Sequence, residues 1–514
     1  MALARTFAVA LTGLHGELVE IECDISAGLP GMSFTGLPDA SVTESRDRLR
    51  AAIVNSGADW PDRKITVALL PADVRKIGSR FDLAAGLAVL GASGQAPLEA
   101  IGQAVWIAEL GLDGKLRPVR GVLPSVLAAA RRGVRRVVVA RANAAEAALV
   151  GGVDVRAADR LTEILDWLRG VVALPATAAD ADSDGDSDAL DEPPPDLADV
   201  AGQLAVKRAL EIAAAGGHHL YLVGSPGAGK TMLAERLPGL LPPLDDRAAL
   251  EVTAVHSVAG ALSEHPRLVR RPPLQAPHHT ASVAALVGGG SHLARPGAIS
   301  LAHHGVLFLD EAPEFSPRAL DALRQPLEKG QVVLSRGGGT VVYPARFQLV
   351  LAANPCGCAR RTADCECPAQ ARRRHQMRLS GPLMDRVDLR VHVEPVPHAD
   401  LFEAPLERED SATVAARVAA ARTVAASRLA GTPWQLNAQV SGSVLRSPAF
   451  LPPAGALRQV QDFLERGLLS ARGFDRVLRL SWTIADLAGR DRPGNADIAE
   501  ALFYRTGASE AWAA

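Results

Sequence analysis

Apolar residues in the first 170 positions follow two alternating patterns. Short runs rich in β-branched residues alternate with longer alanine- and leucine-rich segments at helical spacing. The runs predicted as strands are 18–25, 65–70, 105–112 and 137–140, and the predicted helices are 83–90 and 123–130. Strands alternating with helices are typical of an α/β domain. Residues 7–14 are predicted as a first strand and not as a signal peptide, because His15 and Glu17 follow without a small-residue cleavage pattern.

The most informative stretch is an apolar strand, residues 219–223, that runs directly into a glycine-rich turn and then a helix. The turn reads Gly224, Ser225, Pro226, Gly227, Ala228, Gly229, Lys230, Thr231. Glycines at this spacing let backbone N–H groups close around phosphates at the positive end of a helix dipole. Lys230 is then expected to reach the β and γ phosphates of ATP, and the Thr231 hydroxyl to bind Mg²⁺. The sequence therefore predicts a nucleoside triphosphate site.

Two later apolar strands end in polar residues suited to the same site. Residues 305–309 precede Asp310 and Glu311, and residues 349–353 precede Asn354. Ligands of open α/β sheets bind at the carboxyl ends of buried parallel strands. We expect Asp310 to hold Mg²⁺, Glu311 to orient the attacking water, and Asn354 to sense the γ phosphate. In this order and spacing the set is typical of an AAA+ ATPase.

Composition changes abruptly between residues 174 and 195, where alanine, serine, glycine and proline accompany a series of acidic residues. Such a run repels itself and has little apolar surface to bury, which predicts a solvated, disordered linker. After residue 400 the apolar residues return to helical spacing. We predict an N-terminal α/β domain (1–170), an acidic linker (171–196), an ATPase core (197–395) and a C-terminal helical lid (396–514).

Length and charge limit the alternatives. A chain of 514 residues is too long for one core. A net charge of −2 gives no overall attraction to nucleic acid, so DNA binding requires local basic patches. No apolar run approaches the ~18 residues of a membrane span, so we expect a cytoplasmic protein without membrane contact.

Four of the five cysteines crowd into a single short segment. They are Cys356, Cys358, Cys365 and Cys367. Four thiolates on two short arms suit a closed tetrahedral Zn²⁺ site in the loop 356–367, with reduced, unliganded cysteines as the alternative. The histidine pairs 278–279 and 303–304 are expected to form hydrogen bonds and not a metal site, because adjacent residues of an extended chain face opposite ways.

Basic residues occur in two segments that we predict as insertions. β-branched runs around a glycine triplet at 337–339 predict a hairpin with Arg336 near its tip. A second insertion is expected over 251–300, carrying Arg267, Arg270 and Arg271. These arginines are candidates for DNA contact, and ordinary solvated loop charge is the alternative.

Several motifs resemble the YifB/ComM family of magnesium-chelatase-like ATPases over nearly the whole chain. In the N-terminal part these are residues 28–39, 44–48 and 78–83, and later 276–280 and 378–388. The resemblance implies an N-terminal domain like ribosomal S5 and the Lon peptidase domain. It also implies an AAA+ P-loop domain with insertions of the MCM/magnesium-chelatase type, whose hairpin projects into a central pore.

A Lon-like domain raises the question of peptidase activity. That chemistry needs a serine activated by a lysine, because a hydroxyl at its free pKa is a weak nucleophile. When the Lon motifs are laid on this sequence, the serine position falls at Arg80, with Ser79 one place away, and the lysine position falls near Ser125. We therefore expect a binding or assembly module.

The resemblance further implies which arginines act on the nucleotide. Arg386 corresponds to the arginine finger, which enters a neighbouring subunit's site, with a salt bridge to Asp385 or Asp388 as the alternative. Arg472 corresponds to the phosphate-sensing arginine of the lid, with Arg476 in reserve. Arg479 is expected on another face of the helix. A finger supplied by a neighbour implies a ring, expected to be a hexamer.

The family also suggests the biological role. Members similar to ComM move branched DNA during homologous recombination of incoming strands in natural transformation, so an ATP-driven DNA motor is expected, with single-stranded or branched DNA and recombination proteins as partners. The alternative is a protein-remodelling or metal-chelatase-type motor that acts on a partner protein.

Overall fold

Two separate β-sheets organise the chain in a computed structural model. The structure describes residues 3–177, 194–263, 265–290, 294–336, 339–358, 360, 364–396 and 408–507. The first sheet is built from residues before 160 and the second from residues between 220 and 393. Most of the predicted acidic linker, residues 178–193, lies outside the described residues.

The first sheet is a mixed sheet of seven strands with a small two-stranded ribbon beside it. The strands are β1 (Ala4–Thr12), β2 (His15–Ser26), β3 (Gly31–Thr35), β4 (Lys64–Leu70), β5 (Val105–Ile107), β6 (Glu109–Leu110), β7 (Leu116–Arg117), β8 (Arg136–Ala140) and β9 (Asp154–Ala158). Their order is β3-β4-β2-β1-β5-β8-β9, and β6 pairs with β7. The predicted strands are confirmed, except that the segment 105–112 forms two short strands, β5 and β6. β3, β7 and β9 were not predicted.

Helices cover the first sheet. They are α1 (Ala40–Asn55), α2 (Asp82–Ala92), α3 (Leu98–Gly102), α4 (Val122–Arg131), α5 (Ala144–Ala148) and α6 (Leu161–Leu168). Every residue of α2 is buried, so this alanine- and leucine-rich helix forms the centre of the first core. The predicted helices 83–90 and 123–130 correspond to α2 and α4.

The second sheet is entirely parallel, with two ribbons outside it. The strands of this half are β10 (Leu220–Gly224), β11 (Leu274–Gln275), β12 (Gly288–Gly289), β13 (Arg295–Pro296), β14 (Val306–Leu309), β15 (Gln331–Arg336), β16 (Gly339–Pro344), β17 (Gln348–Ala353) and β18 (Leu389–Val393). The sheet order is β11-β14-β17-β10-β18. Because all five strands run the same way, the residues that follow them meet at one carboxyl edge.

Helices surround this sheet and then form the C-terminal part of the chain. They are α7 (Leu204–Gly216), α8 (Lys230–Ala234), α9 (Leu237–Leu240), α10 (Asp246–Ala259), α11 (Val283–Val287), α12 (Ala298–Leu301), α13 (Pro317–Ala322), α14 (Arg324–Lys329), α15 (Ala369–Gln376), α16 (Gly381–Met384), α17 (Ser411–Arg428), α18 (Gly442–Leu445), α19 (Ala454–Glu465), α20 (Ala471–Leu487) and α21 (Asn495–Thr506). The helical character expected after residue 400 is thus present in the described part of that region.

The predicted hairpin is confirmed and the second predicted insertion is partly wrong. β15 and β16 pair antiparallel, with Arg336 opposite Gly339. Residues 251–300, however, are not one insertion. Their strand β11 pairs with β14 inside the core sheet, and α10 begins before residue 251. A two-residue strand is too short to give a recognisable pattern in the sequence.

Among the described residues, the two halves of the chain are in contact through the hairpin and through α10. The β1–β2 turn reaches the hairpin: a Cβ on Gly13 would lie 2.9 Å from Val341 Cγ1 and 3.0 Å from the Val342 carbonyl oxygen. Gly13 also has φ of 65°, so both its backbone conformation and its close contacts favour glycine. In α10, Ser257 donates a buried hydrogen bond to Glu146 of α5. The first sheet therefore rests on both the hairpin and α10. In the part of the chain described, no helix is long and apolar enough to span a bilayer.

Candidate nucleotide site

The glycine-rich turn joins β10 to α8 at the carboxyl edge of the second sheet. Gly227 and Gly229 have φ of 76° and 91°, in the left-handed region that glycine tolerates best. A Cβ on Gly224 would lie 2.2 Å from the Val393 carbonyl oxygen, so the loop passes β18 too closely for any side chain. These conformations explain why the sequence places glycine at those positions.

Lys230 closes the loop by contacts with its own backbone and with the next strand. Its Nζ donates to the carbonyl oxygens of Gly224 at 2.8 Å and Ser225 at 3.0 Å, and to Asn354 Oδ1 at 3.0 Å. Burial lowers the pKa of the Lys230 ammonium, although Asp310 and Glu311 oppose the shift. The predicted lysine and the predicted asparagine are therefore in direct contact.

Thr231 and Asp310 bring two oxygen ligands together. Thr231 Oγ1 donates to Asp310 Oδ2 at 2.6 Å, joining α8 to the end of β14. Hydroxyl and carboxylate oxygens beside a phosphate-binding loop fit Mg²⁺, which prefers oxygen ligands and is usually held by one or two protein groups plus phosphates. The donor set present is thus the one this ion requires.

Glu311 follows in an unusual backbone conformation. Its φ is 49°, which is rare for a residue with a side chain. Its N–H donates to Asp310 Oδ1 at 2.8 Å, and its Oε2 lies 3.0 Å from His279 Nδ1. The turn after β14 thereby directs one carboxylate to Thr231 and the other to His279. Nothing in the sequence pattern indicated the contact with His279.

Two arginines of interest lie at the opposite edge of the sheet. Arg386 precedes β18, at the amino end of the strands, and its guanidinium donates to Glu328. Neither Asp385 nor Asp388 is its partner, so the predicted alternative pairing is wrong. A cavity of about 780 Å³ is lined by both Arg386 and Arg472, and no residue of the phosphate loop is among its described lining residues.

The arginines of α20 differ in how they are held. Arg472 is exposed and, among the described residues, has no hydrogen bond or ion pair. Arg476 is paired with Asp388 at 2.6 Å, and Arg479 donates to the Val440 carbonyl oxygen at 2.8 Å. Arg479 lines the same cavity as the other two, so the expectation that it lies on another face is wrong. Residues spaced by four and seven positions share one helix face.

Comparison with known proteins identifies the family. Models described as magnesium chelatase, subunit ChlI, match residues 196–401, with further ChlI models over 21–143 and, for the C-terminal part, 408–505. An uncharacterized protein of Mycobacterium tuberculosis H37Rv is 54% identical over 510 residues, covering 99% of this chain and 100% of the relative. YifB of Escherichia coli K12 is 42% identical over 506 residues (98% and 97%), and the competence protein ComM of Haemophilus influenzae is 42% identical over 512 (98% of each). The chain belongs to the YifB/ComM family of magnesium-chelatase-like proteins.

Membership of the YifB/ComM family agrees with the architecture. A Lon protease of Trichlorobacter lovleyi is 28% identical over 142 residues, 26% of this chain and 17% of the protease. With the parallel sheet and the phosphate loop, these similarities support a multidomain α/β fold of AAA+ type and an AAA+-type ATPase.

The two positions that a Lon-type dyad would occupy do meet in this YifB/ComM family member, but with the wrong residues. Arg80 Nη1 donates to Ser125 Oγ at 3.1 Å, and its Nη2 donates to the Arg120 carbonyl oxygen at 2.7 Å. Ser125 in turn donates to the Gly121 carbonyl oxygen at 2.6 Å. Burial lowers the pKa of Arg80 to about 10, which still leaves it a cation at neutral pH. A serine already committed on both sides and faced by a cation lacks a general base.

The four cysteines of the predicted zinc loop converge. Their Sγ atoms all lie within 4.8 Å of one another, and Cys358 and Cys365 are 3.6 Å apart. Sulfurs in a tetrahedral site with Zn–S bonds of about 2.3 Å are about 3.8 Å apart, whereas a disulfide requires about 2.05 Å. The thiols therefore fit a four-sulfur metal site and not a disulfide.

The histidine pairs form hydrogen bonds. His303 Nδ1 accepts from the Arg346 N–H at 3.0 Å, so its Nε2 carries the proton that faces Glu251 at 3.3 Å. This bond to His303 lowers the pKa of Glu251 to about 2. Although Glu251, His303 and His304 lie close enough to share an ion, the protonated Nε2 of His303 cannot bind one.

The candidate DNA contacts have mixed outcomes. Arg267 and Arg271 are exposed without an ion pair in the part of the chain that the structure describes, whereas Arg270 pairs with Asp246 at 2.9 Å. The backbone of Arg336 ends β15 beside the tip, and its side chain lies outside what is described. Two of the four candidates are therefore available for a phosphate.

Proposed function

We propose that the protein is a ring-forming AAA+ ATPase that acts as a motor on DNA. The observation that carries the proposal is the convergence of Lys230, the Thr231–Asp310 pair and Glu311 at one carboxyl edge, where an ATP phosphate chain is expected. Mg²⁺ held by Thr231 and Asp310 would neutralise charge on the phosphates. The division into the domains 1–170, 197–395 and 396–514, joined by the linker 171–196, is part of the same proposal.

Each residue at this edge has a proposed task. Backbone N–H groups of residues 224–231 surround the phosphates, except at Pro226, which has no N–H, and Lys230 provides a positive charge beside them. Glu311 orients the attacking water. Asn354 accepts a hydrogen bond from Lys230. It would sense the γ phosphate when Lys230 breaks this bond to contact the nucleotide.

The opposite position of Arg386 supports assembly. β18 separates Arg386 from the phosphate-loop edge by five residues, roughly 15 Å of extended chain. Arg386 therefore cannot serve its own chain's phosphates, and a neighbouring chain must bring its site to it. Arg472 lines the same cavity, so we propose that both arginines act on the neighbour's nucleotide in a hexameric ring.

DNA is proposed as the substrate from the similarity to a competence protein and from the basic surface. Arg267 and Arg271 are exposed and have no ion pair with any residue that the structure describes, and the hairpin β15–β16 places Arg336 beside its tip. The proposed reaction is branch migration or unwinding during recombination of incoming DNA, alongside recombination proteins. The family models named for magnesium chelatase favour a second candidate, a motor that remodels a partner protein.

Zinc is the metal proposed for Cys356, Cys358, Cys365 and Cys367, where it would fix the loop after Asn354. Purified protein is expected to contain one zinc per chain by mass spectrometry. Cys358→Ser should lose that zinc, whereas Cys23→Ser, which changes a buried cysteine of β2, should retain it. Equal zinc in both variants would contradict the assignment.

The test of the motor is ATP hydrolysis with and without single-stranded or four-way-junction DNA. Stimulation by DNA is expected, and Arg386→Ala should abolish hydrolysis while Arg318→Ala, an exposed arginine of α13, should not. Mixing inactive Arg386→Ala with inactive Lys230→Ala chains should restore part of the activity, because some sites then combine an intact lysine with an intact neighbouring arginine. Hydrolysis indifferent to DNA would reject the DNA motor and favour protein remodelling.

A further inference from the structure

His279 reaches the end of β14 from a neighbouring strand. β11 lies next to β14 in the sheet, and the chain leaves the carboxyl end of β11 four residues before His279. This path places His279 Nδ1 3.0 Å from Glu311 Oε2. The imidazole is 31% exposed and the carboxylate 50%, so the contact lies at the open edge where the nucleotide is expected.

The ring of His279 is held in place by its neighbour. His278 Nδ1 accepts from both the Thr280 hydroxyl at 2.8 Å and the Thr280 N–H at 3.3 Å, which fixes the orientation of the His278 ring. The rings of His278 and His279 are close together and tilted, with centroids 4.1 Å apart and planes 33° apart. His279 therefore contacts His278 with its ring and Glu311 with its Nδ1.

Glu311 is left with one free oxygen. Oε2 faces the imidazole, whereas Oε1 has no hydrogen bond or ion pair among the described residues. The left-handed backbone of Glu311 is a strained conformation for a residue with a side chain, of a kind that often accompanies functional sites. A carboxylate fixed through one oxygen can present the other in a constant direction.

We propose that His279 is a positioning residue for Glu311 in ATP hydrolysis. The inference rests on the proposed role of Glu311 in orienting the attacking water. An imidazole that donates from Nδ1 to Oε2 restricts rotation of the Glu311 side chain and leaves Oε1 available. Misplacement of a catalytic group by about 1 Å lowers a rate by about 100-fold, so a single hydrogen bond has a large effect here.

The experiment compares His279→Ala, His279→Gln and His265→Ala in the full-length protein. His279→Ala is expected to lower kcat by about 10- to 100-fold while KM and the affinity for a fluorescent ATP analogue stay within about twofold. His279→Gln should recover part of kcat, because its amide also donates a hydrogen bond. His265→Ala changes an exposed histidine of the same segment and should match the parent.

A double-mutant cycle separates positioning from general structural support. In a Glu311→Gln background, single-turnover hydrolysis should fall by less than about twofold when His279→Ala is added, because the two residues act as one unit. An undiminished effect in that background would overturn the proposal. So would an unchanged or faster kcat in His279→Ala alone, which would mean that the contact is idle or restrains the carboxylate. Hydrolysis by the parent protein that is lost in Lys230→Ala tests the ATPase itself, so failure of the ATPase proposal can be told apart from failure of the His279 proposal.

Discussion

Each half of the chain has a buried cation close to a hydroxyl-bearing residue, and the two cations differ in whether a ligand can reach them. In the first half of the chain, Arg80 donates hydrogen bonds to Ser125 and to the Arg120 carbonyl oxygen in a closed interior. In the second, Lys230 lies at an open edge next to Thr231, bonded only to groups that a phosphate can replace. The difference shows that a fold supplies positions, while residue type and access to ligand decide whether a position has chemistry.

The largest expected difference between the two cations concerns hydrolysis. Lys230→Met should lower ATP hydrolysis by about 100- to 1000-fold, because it removes the positive charge beside the transferring phosphate. The variant also loses the bonds of Lys230 to the Gly224 and Ser225 carbonyl oxygens and to Asn354, so its melting temperature is measured alongside hydrolysis. Lys115→Met, which changes an exposed lysine of the first half, is the matched control for steady-state assays. Hydrolysis by Lys230→Met at the rate of the parent would contradict the proposed difference between Lys230 and Arg80.

Arg80 should behave in the opposite way. Arg80→Met should lower the free energy of unfolding of the first half by about 3 kcal/mol, because Ser125 and the Arg120 carbonyl oxygen lose their buried partner. Hydrogen exchange read by mass spectrometry can assign the loss to peptides of the first sheet. Hydrolysis per folded molecule should match the parent. If the parent protein cleaved peptide bonds and Arg80→Met did not, the first half would instead be an enzyme.

Acid should weaken the two halves unequally. In the second sheet, burial lowers the pKa of His219 to about 4, and its Nδ1 accepts from the Leu349 N–H at 3.0 Å. Because the folded-state pKa lies below the unfolded value of about 6.5, stability is lost as pH falls from 7 towards 4, by about 2 kcal/mol at pH 5. In the first sheet domain, burial raises the pKa of Asp82 to about 7 despite its contact with Arg48. That shift has the reverse sign, so acid should stabilise this half.

Urea unfolding at pH 7 and pH 5, followed by hydrogen exchange, tests the difference in pH response. Peptides of β10 and β17 should unfold at lower urea at pH 5, and peptides of α2 should not. His219→Gln, which keeps an acceptor but cannot be protonated, should reduce the shift of the second half. A parallel shift of both halves would contradict the assignment to His219.

The smallest expected effect lies where the halves meet. Gly13→Ala should destabilise the protein by about 1 kcal/mol more than Gly94→Ala, which has a similar φ of 79° but nothing within 4 Å of the added Cβ. The additional loss reports the contact with Val341 and Val342 of the hairpin. Thermal unfolding of the two variants measures this difference. Equal losses of stability would mean that the contact between the turn and the hairpin contributes little.

Much of the nucleotide site was predictable from the sequence because its parts are contiguous or end parallel strands. Residues 224–231 form an unbroken motif, and Asp310 and Asn354 each follow an apolar run, so a shared carboxyl edge brings them together. The same argument would have found His279, had the two-residue strand β11 been recognisable. The shared face of Arg472 and Arg479 was available from helical spacing alone.

Other features required the folded structure. The partner of Arg386 is Glu328 on a separate helix, and no periodicity relates the two. The Arg80–Ser125 contact joins residues 45 positions apart, with Arg80 just before α2 and Ser125 in α4. Such contacts depend on how whole elements meet, which local patterns in the sequence do not determine.

The glycine at the tip of the β1–β2 turn also has a mechanical meaning. Gly13 has no side chain and lies directly against Val341 and Val342 of β16. If the hairpin moved, it would have to displace the first sheet or separate from it. A ligand bound to the first sheet would then move together with the hairpin, to an extent set by the stiffness of the β1–β2 turn.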